Sequence, residues 1–409
     1  MQQLQGRLGL TASMGIGVAA MLGAGVFYVW SPAYALAGSW LMVSLLIAAV
    51  VATLNGLVTA QLAMHLPVSG GIYAYAGHYR GPYLGFLAGW LFVTGKTASA
   101  AAIAYIAASY LSPEYAREIA AGFVVVFTAI IVSGIRVAAG VSIAISLTVI
   151  IGVVWFAAPR QLSATWPSVD ADPSIGGIAT AAGLFFFAFA GYARMATLGE
   201  EARNPSRTIP RAIVGALWIV LVIYLMVGFA ITPALQSASV IPDAPLTLLS
   251  SAGSAWVMVA LAVMASLGSL IAILAGLSRT TLAMGRSRDL PSMLSRVSSR
   301  TKGPVVAEIT VAIAAIALIF FTNPLWLVGL SSAGVLTYYA IGHLSALAQP
   351  PAQRFLPPVV PTLGLVLCGL LVLTLPMPSL IAALASALVG TLWFLLNPLR
   401  RAQPGDYVV

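Results

Sequence analysis

The chain has 409 residues, 60% of them hydrophobic and only 7% charged. Soluble domains carry about 25% charged residues, so the composition excludes that class and leaves an all-α integral membrane protein, since long apolar runs cross a bilayer only as helices. The net charge of +9 fits the excess of Lys and Arg found in cytoplasmic loops of membrane proteins, with no nucleic-acid partner expected.

Runs of ~20 apolar residues, enough to cross the hydrocarbon, place about twelve spans near 10–34, 39–66, 84–111, 117–135, 138–158, 176–199, 210–232, 253–283, 304–322, 324–348, 358–375 and 379–397. The first follows Arg7 and lacks a cleavage site with a soluble domain behind it, so it is expected to be a retained span. It contains "GVAAMLGAGVFYVW" from Gly17, with Gly23 and Gly25 at mid-depth. Glycine inside a helix costs roughly 1 kcal/mol relative to alanine. A break here frees backbone groups, which the bilayer tolerates only where they line a cavity or meet a ligand. The outer half-helix would present its N-terminus to a carboxylate, and the inner half its carbonyls to an ammonium group or a cation. An α-amino acid carries both charges. Gly17, Ala20 and Ala24 also fit a face of small residues for helix packing.

Span three, "GWLFVTGKTASAAAIAY" from Gly89, carries Lys96 near its middle. A four-methylene stem cannot carry the ammonium ~15 Å to the edge of the hydrocarbon. An ionisable group at this depth therefore reads as functional, and lysine, unlike arginine, can give up its proton. Span six, "GLFFFAFAGYARMATLGEEARNP" from Gly183, is interrupted at Ala190-Gly191 and turns polar early. Asn204-Pro205 is expected to end that helix and Ile209-Pro210 to restart one. Glu200, Glu201, Arg203 and Arg207 read either as a solvated loop or as a gate of ion pairs. Matched interruptions in spans one and six are the sequence signature of an inverted-repeat transporter. The expected organisation is one transmembrane domain over 1–409, with five-span repeats at about 10–158 and 176–348 and two extra helices at about 358–397. Most basic residues, from Arg7 through Arg80, Arg136 and the Arg279–Lys302 cluster to Arg401, fall on one side, and only Arg117 and Arg160 on the other. This predicts a multi-pass protein of the cell membrane with both termini cytoplasmic.

Three passages resemble the amino acid–polyamine–organocation superfamily of permeases, which has the LeuT-type fold. They are "AAMLGAGVF" (Ala19 to Phe27), "AQLAMHLPVSGGIYAYAGHYRGPYLGFLAGW" (Ala60 to Trp90) and "FFAFAGYARMATLGEEARNPSRTIPRAI" (Phe186 to Ile213). "AMGRSRDLP" (Ala283 to Pro291) extends the likeness. The resemblance implies a five-plus-five inverted repeat with discontinuous helices 1 and 6 around a central site. It implies N–H groups of Ala24 and Gly25, beside Gly23, for the substrate carboxylate. Carbonyls near Ala20, Met21, Phe187 and Ala190, beside Gly191, are implied for its amino group. Phe187 matches the aromatic gate of the similar arginine/agmatine antiporter, with Phe189 as the alternative. Two departures stand out. A glutamate common after the sixth-helix glycine is replaced by Ala193, followed by Arg194, and span five lacks the lysine of many relatives.

Together these readings predict a secondary amino acid transporter working by proton-coupled symport or exchange, with Lys96 as the coupling group. Lys96 and Arg194 make the site electropositive and favour a neutral substrate first and an acidic one second. Sodium coupling through Ser266 and Ser269 is the alternative within the class, and those serines also fit helix packing. Export remains open, as does a non-transporting sensor, which the tails of about ten residues disfavour. No cofactor, metal or catalytic residue is expected. His65, His78 and His343 share no ligand spacing, Cys368 is single, and no GxxxxGK[ST] phosphate loop or paired-aspartate or Ser–Lys arrangement occurs. The expected partners are an amino acid, a proton and the lipid bilayer. The sequence does not specify an oligomeric state.

Overall fold

The structure is a computed structural model that describes residues 9–66, 70–134, 139–161, 174–192, 195, 202–301 and 303–397. The described residues form helices and short turns. Among the described residues, nine helical segments are long and apolar enough to cross a membrane. The shorter helices Ala116–Val132, Val305–Phe321 and Val359–Thr374 stand where spans four, nine and eleven are expected. The chain is thus an all-α, multi-pass membrane protein.

Span one is three helices, α1 (Leu10–Met21), α2 (Ala24–Tyr28) and α3 (Trp30–Ala37). The break falls at Leu22–Gly23, where neither residue is helical. Val29 keeps helical angles, and its N–H donates to the Gly25 carbonyl, so α2 and α3 form one bent outer half. Span six runs as Ile175–Phe189 and tightens into a 3-10 turn at Ala190–Tyr192. Span seven begins at Pro205 and continues through Pro210 to Ser237, so the expected restart at Ile209-Pro210 is corrected. Asn204 takes the left-handed conformation (φ 50°) and ends the preceding loop. Pro205 then occupies the first helical position, where a missing N–H costs nothing. Pro210 leaves only the carbonyl four residues back, at exposed Ser206, without its helical donor.

Span three (Pro82–Leu111) lies at the centre, with 83% of its most apolar window buried, whereas span twelve (Met377–Leu396) is peripheral at 17%. Spans eight (Ala255–Arg286) and ten (Pro324–Ala348) pack along span three, and α1 packs on spans five and seven. A buried polar tie joins spans two, ten and eleven. The Asn55 side-chain oxygen accepts from Cys368 Sγ at 3.2 Å and lies 2.7 Å from His343 Nε2. The His343 ring packs against span eleven at Gly364, where a Cβ would overlap it. An apolar groove of about 560 Å³ runs between spans three, nine and twelve. Its polar side chains are turned inward. Thr94 and Thr97 donate to carbonyls of their own helix and Trp90 to Ser386, so nothing in the groove recognises a charged ligand.

Candidate functional site

The two breaks face each other. A Cβ built on Gly25 would stand 2.6 Å from Cα of Ala188, and one on Gly191 would stand 2.6 Å from the Met21 nitrogen and nearer still to the Ala20 carbonyl. Backbone therefore meets backbone at both crossings, and no side chain fits between the spans. Gly23 serves the same purpose toward span eight, where a Cβ would lie 2.6 Å from the Ser269 hydroxyl. Gly17 packs against Met195 and Ala216, as its helix-packing reading requires.

Between the breaks lies a cavity of about 20 Å³, room for about one water. The expected residues Ala20, Met21, Gly23, Ala24, Gly25, Lys96, Phe187, Gly191 and Ser269 all line it. Ala190 stands beside it and turns its carbonyl to Lys96. Phe189 does not reach the cavity; its ring packs edge-on against Tyr224, with centroids 4.9 Å apart. Ser266 is fully buried behind the lining, and its hydroxyl has no hydrogen-bond partner. Arg194, Ala193, Glu200 and Glu201 lie outside the described residues, and Arg203 and Arg207 are exposed.

The carbonyls expected to receive a substrate's amino group are largely occupied. Lys96 Nζ donates to Ala190 O at 3.0 Å. The Tyr224 hydroxyl sits 2.8 Å from Met21 O and 3.0 Å from Ala188 O. The Ala190 N–H caps span six by donating to Phe186 O and Phe187 O. A substrate's amino group would therefore share or displace these donors at Met21, Phe187 and Ala190. A broken helix in lipid needs donors for its carbonyls, and here the protein supplies them. Among the described residues, Lys96 is the single charged side chain in the lining, and no Asp or Glu joins it. Sequence reasoning missed Ser99, Ile103, Ala188 and Ile273 in the lining, and Tyr224 behind it. Ser99 was legible as the small polar residue nearly one turn beyond Lys96, and its hydroxyl pairs with Ser331 at 2.5 Å. Tyr224 carries no local signal, because it reaches the break from 203 residues away.

Comparison with known proteins gives a consistent picture. The amino acid permease family model matches residues 8–396. An uncharacterized transporter of Mycobacterium tuberculosis is 42% identical over 399 residues, covering 95% of this chain and 90% of its own. The branched-chain amino acid permease BcaP of Bacillus subtilis is 26% identical, covering 93% of this chain and 90% of its own. The vacuolar cationic amino acid transporter 2 of Arabidopsis thaliana is 28% identical, covering 87% of this chain and 62% of its own.

Proposed function

Since the chain belongs to the amino acid permease family, we propose that this amino acid transporter carries a neutral α-amino acid across the cell membrane by proton-coupled symport or exchange. Both termini are cytoplasmic in this reading, and the repeats at 10–158 and 176–348 alternate access around the paired breaks. The observation that carries the proposal is the lining of the central cavity. Among the described residues, it joins the start of an outer half-helix, Ala24 and Gly25, to one lysine and no carboxylate. A carboxylate is favoured at the helix start. A cationic side chain would meet Lys96 with nothing to neutralise it, so the word "cationic" in the plant relatives' names is not transferred. Ile103, Ile273 and Phe187 offer an apolar wall, in keeping with the branched-chain substrate in the Bacillus relative's name. Lys96 is the coupling group, and Phe187 is the gate over the substrate.

The cavity of about 20 Å³ is too small for an amino acid, so in this reading the carrier opens to load. The test is uptake by purified protein in liposomes of labelled leucine, alanine, glutamate and arginine, with pH and sodium gradients imposed separately. Saturable uptake of a neutral amino acid driven by the pH gradient without sodium is expected. Saturable arginine uptake would overturn the charge argument. Strict sodium dependence lost in Ser269→Ala would replace proton coupling with a sodium site at Ser266 and Ser269, and binding without flux would identify a sensor.

A further inference from the structure

The hydrogen bond from Lys96 to Ala190 has a bearing on substrate that a general coupling role does not include. The Ala190 carbonyl stands at the span-six break, and its donor is a primary ammonium group from span three at 3.0 Å. The α-ammonium of an amino acid is the same kind of donor, a charged nitrogen with three N–H bonds and no acceptor. About 20 Å³ of free space does not admit a second one beside the first. We propose that the Lys96 ammonium occupies the seat of the substrate's α-ammonium group, so that the protonated lysine and the substrate exclude one another. This rests on the amino acid transport reading above.

The surroundings support the exclusion. The cavity that Lys96 lines is bounded from span one by Ala20, Met21 and the glycine break, and from span eight by Ser269 and Ile273. Span six brings Phe187 and Ala188, and span ten contributes the Ser331 hydroxyl through Ser99. The Tyr224 hydroxyl is bonded to the Met21 and Ala188 carbonyls of the breaks, and the Tyr192 ring of the span-six turn is stacked on Tyr339. No Asp, Glu, His or Arg lines the cavity among the described residues, so no carboxylate is present to hold both cations at once. Arg194 lies outside those residues. A substrate that takes Ala190 O must therefore displace Lys96, whose proton passes from Nζ to water on the side of entry. Linkage is reciprocal: if substrate drives the proton off, acid drives the substrate off. That sign selects exchange over symport, with the lysine carrying its proton on the leg without substrate.

The test measures affinity and stability together. With the best-carried amino acid of the panel, binding to the parent protein should tighten as pH rises below the range in which the free amino acid's own ammonium titrates. Lys96→Met should bind about tenfold more tightly, equivalent to about 1.4 kcal/mol, and lose that pH dependence. Lys96→Arg, which keeps its charge, should bind more weakly than Lys96→Met. Independently of any substrate, propylammonium restores the atoms that Lys96→Ala removes. It should raise the thermal midpoint of that variant and not of the parent, while tetramethylammonium, with no N–H, should do nothing. Substrate binding that tightens with acid, or Lys96→Met binding no better than the parent, would overturn the proposal. So would a folded Lys96→Ala variant that propylammonium leaves unmoved. If no amino acid of the panel binds or moves, the transport reading fails, and the propylammonium arm still decides whether the lysine occupies an ammonium seat.

Discussion

Gly191→Ala adds one methyl group at a crossing where backbone meets backbone. The new carbon would lie 2.6 Å from the Met21 nitrogen and closer to the Ala20 carbonyl, and ordinary contact between nonbonded heavy atoms begins near ~3.5 Å. Spans one and six must therefore separate by roughly 1 Å, because both partners are backbone and neither can rotate away. Overpacking of this kind costs about 1–3 kcal/mol. The strain falls on the closed arrangement, where the two breaks touch, and is relieved when they part. The closed-to-open balance should shift by about 5–150-fold, the factor that corresponds to such an energy. The assay is thiol labelling of Ser99→Cys, which faces the cavity, in the parent and Gly191→Ala backgrounds. Native Cys368 is fully buried and is left in place. Labelling should accelerate by about that factor in the Gly191→Ala protein. If it proceeds at the parent rate in a folded protein, contact between the glycine breaks is not what keeps the carrier shut.

Tyr224→Phe removes the hydroxyl that serves Met21 O and Ala188 O, and leaving buried acceptors without a donor should cost about 1–3 kcal/mol. Chemical unfolding in mixed micelles checks this, with Tyr224→Leu expected to lose more because the ring contact with Phe189 goes too. Phe187→Ala should weaken substrate affinity severalfold or raise leak through the closed carrier, read by equilibrium binding and tracer efflux, whereas Phe189→Ala should act on stability alone. Asn55→Ala strips the shared acceptor from His343 and Cys368 and should destabilise the fold by about 1–3 kcal/mol while leaving substrate affinity near the parent value.

Much of this was readable before any coordinates. Apolar run length located the spans because a bilayer imposes a minimum length and forbids unpaired backbone between the ends. Gly23, Gly25 and Gly191 announced the breaks because glycine is expensive in a helix, and Lys96 announced itself by depth alone. What sequence could not supply was the partner of each freed carbonyl. Tyr224 and Lys96 reach the breaks from spans seven and three, and neither motif nor periodicity says which way their polar ends turn. The start of span seven was misjudged for a local reason. Pro210 reads as a helix beginning, but an exposed first turn tolerates the missing donor, and Pro205 had already begun the helix. Resemblance alone put Phe187 ahead of Phe189, and the packing of Phe189 on Tyr224 is what separates the residue facing the cavity from the one behind it.

The self-capped breaks also bear on what the protein does with nothing to carry. A membrane that stores energy as an ion gradient is drained by any continuous file of water, and an empty carrier is the state most exposed to that fault. Here the donors that close the breaks belong to the chain, and the space left is about 20 Å³, so this arrangement leaves no room for a file of water between the breaks. The tightness has a thermodynamic counterpart. If substrate loads at the breaks as proposed, it must first break the lysine and tyrosine contacts, and its apparent affinity is the intrinsic affinity of the opened site reduced by the fraction of molecules that are open. Weak apparent binding would thus accompany a well-sealed resting state. Variants selected for tighter binding should be screened for dissipation of the gradient as well as for transport.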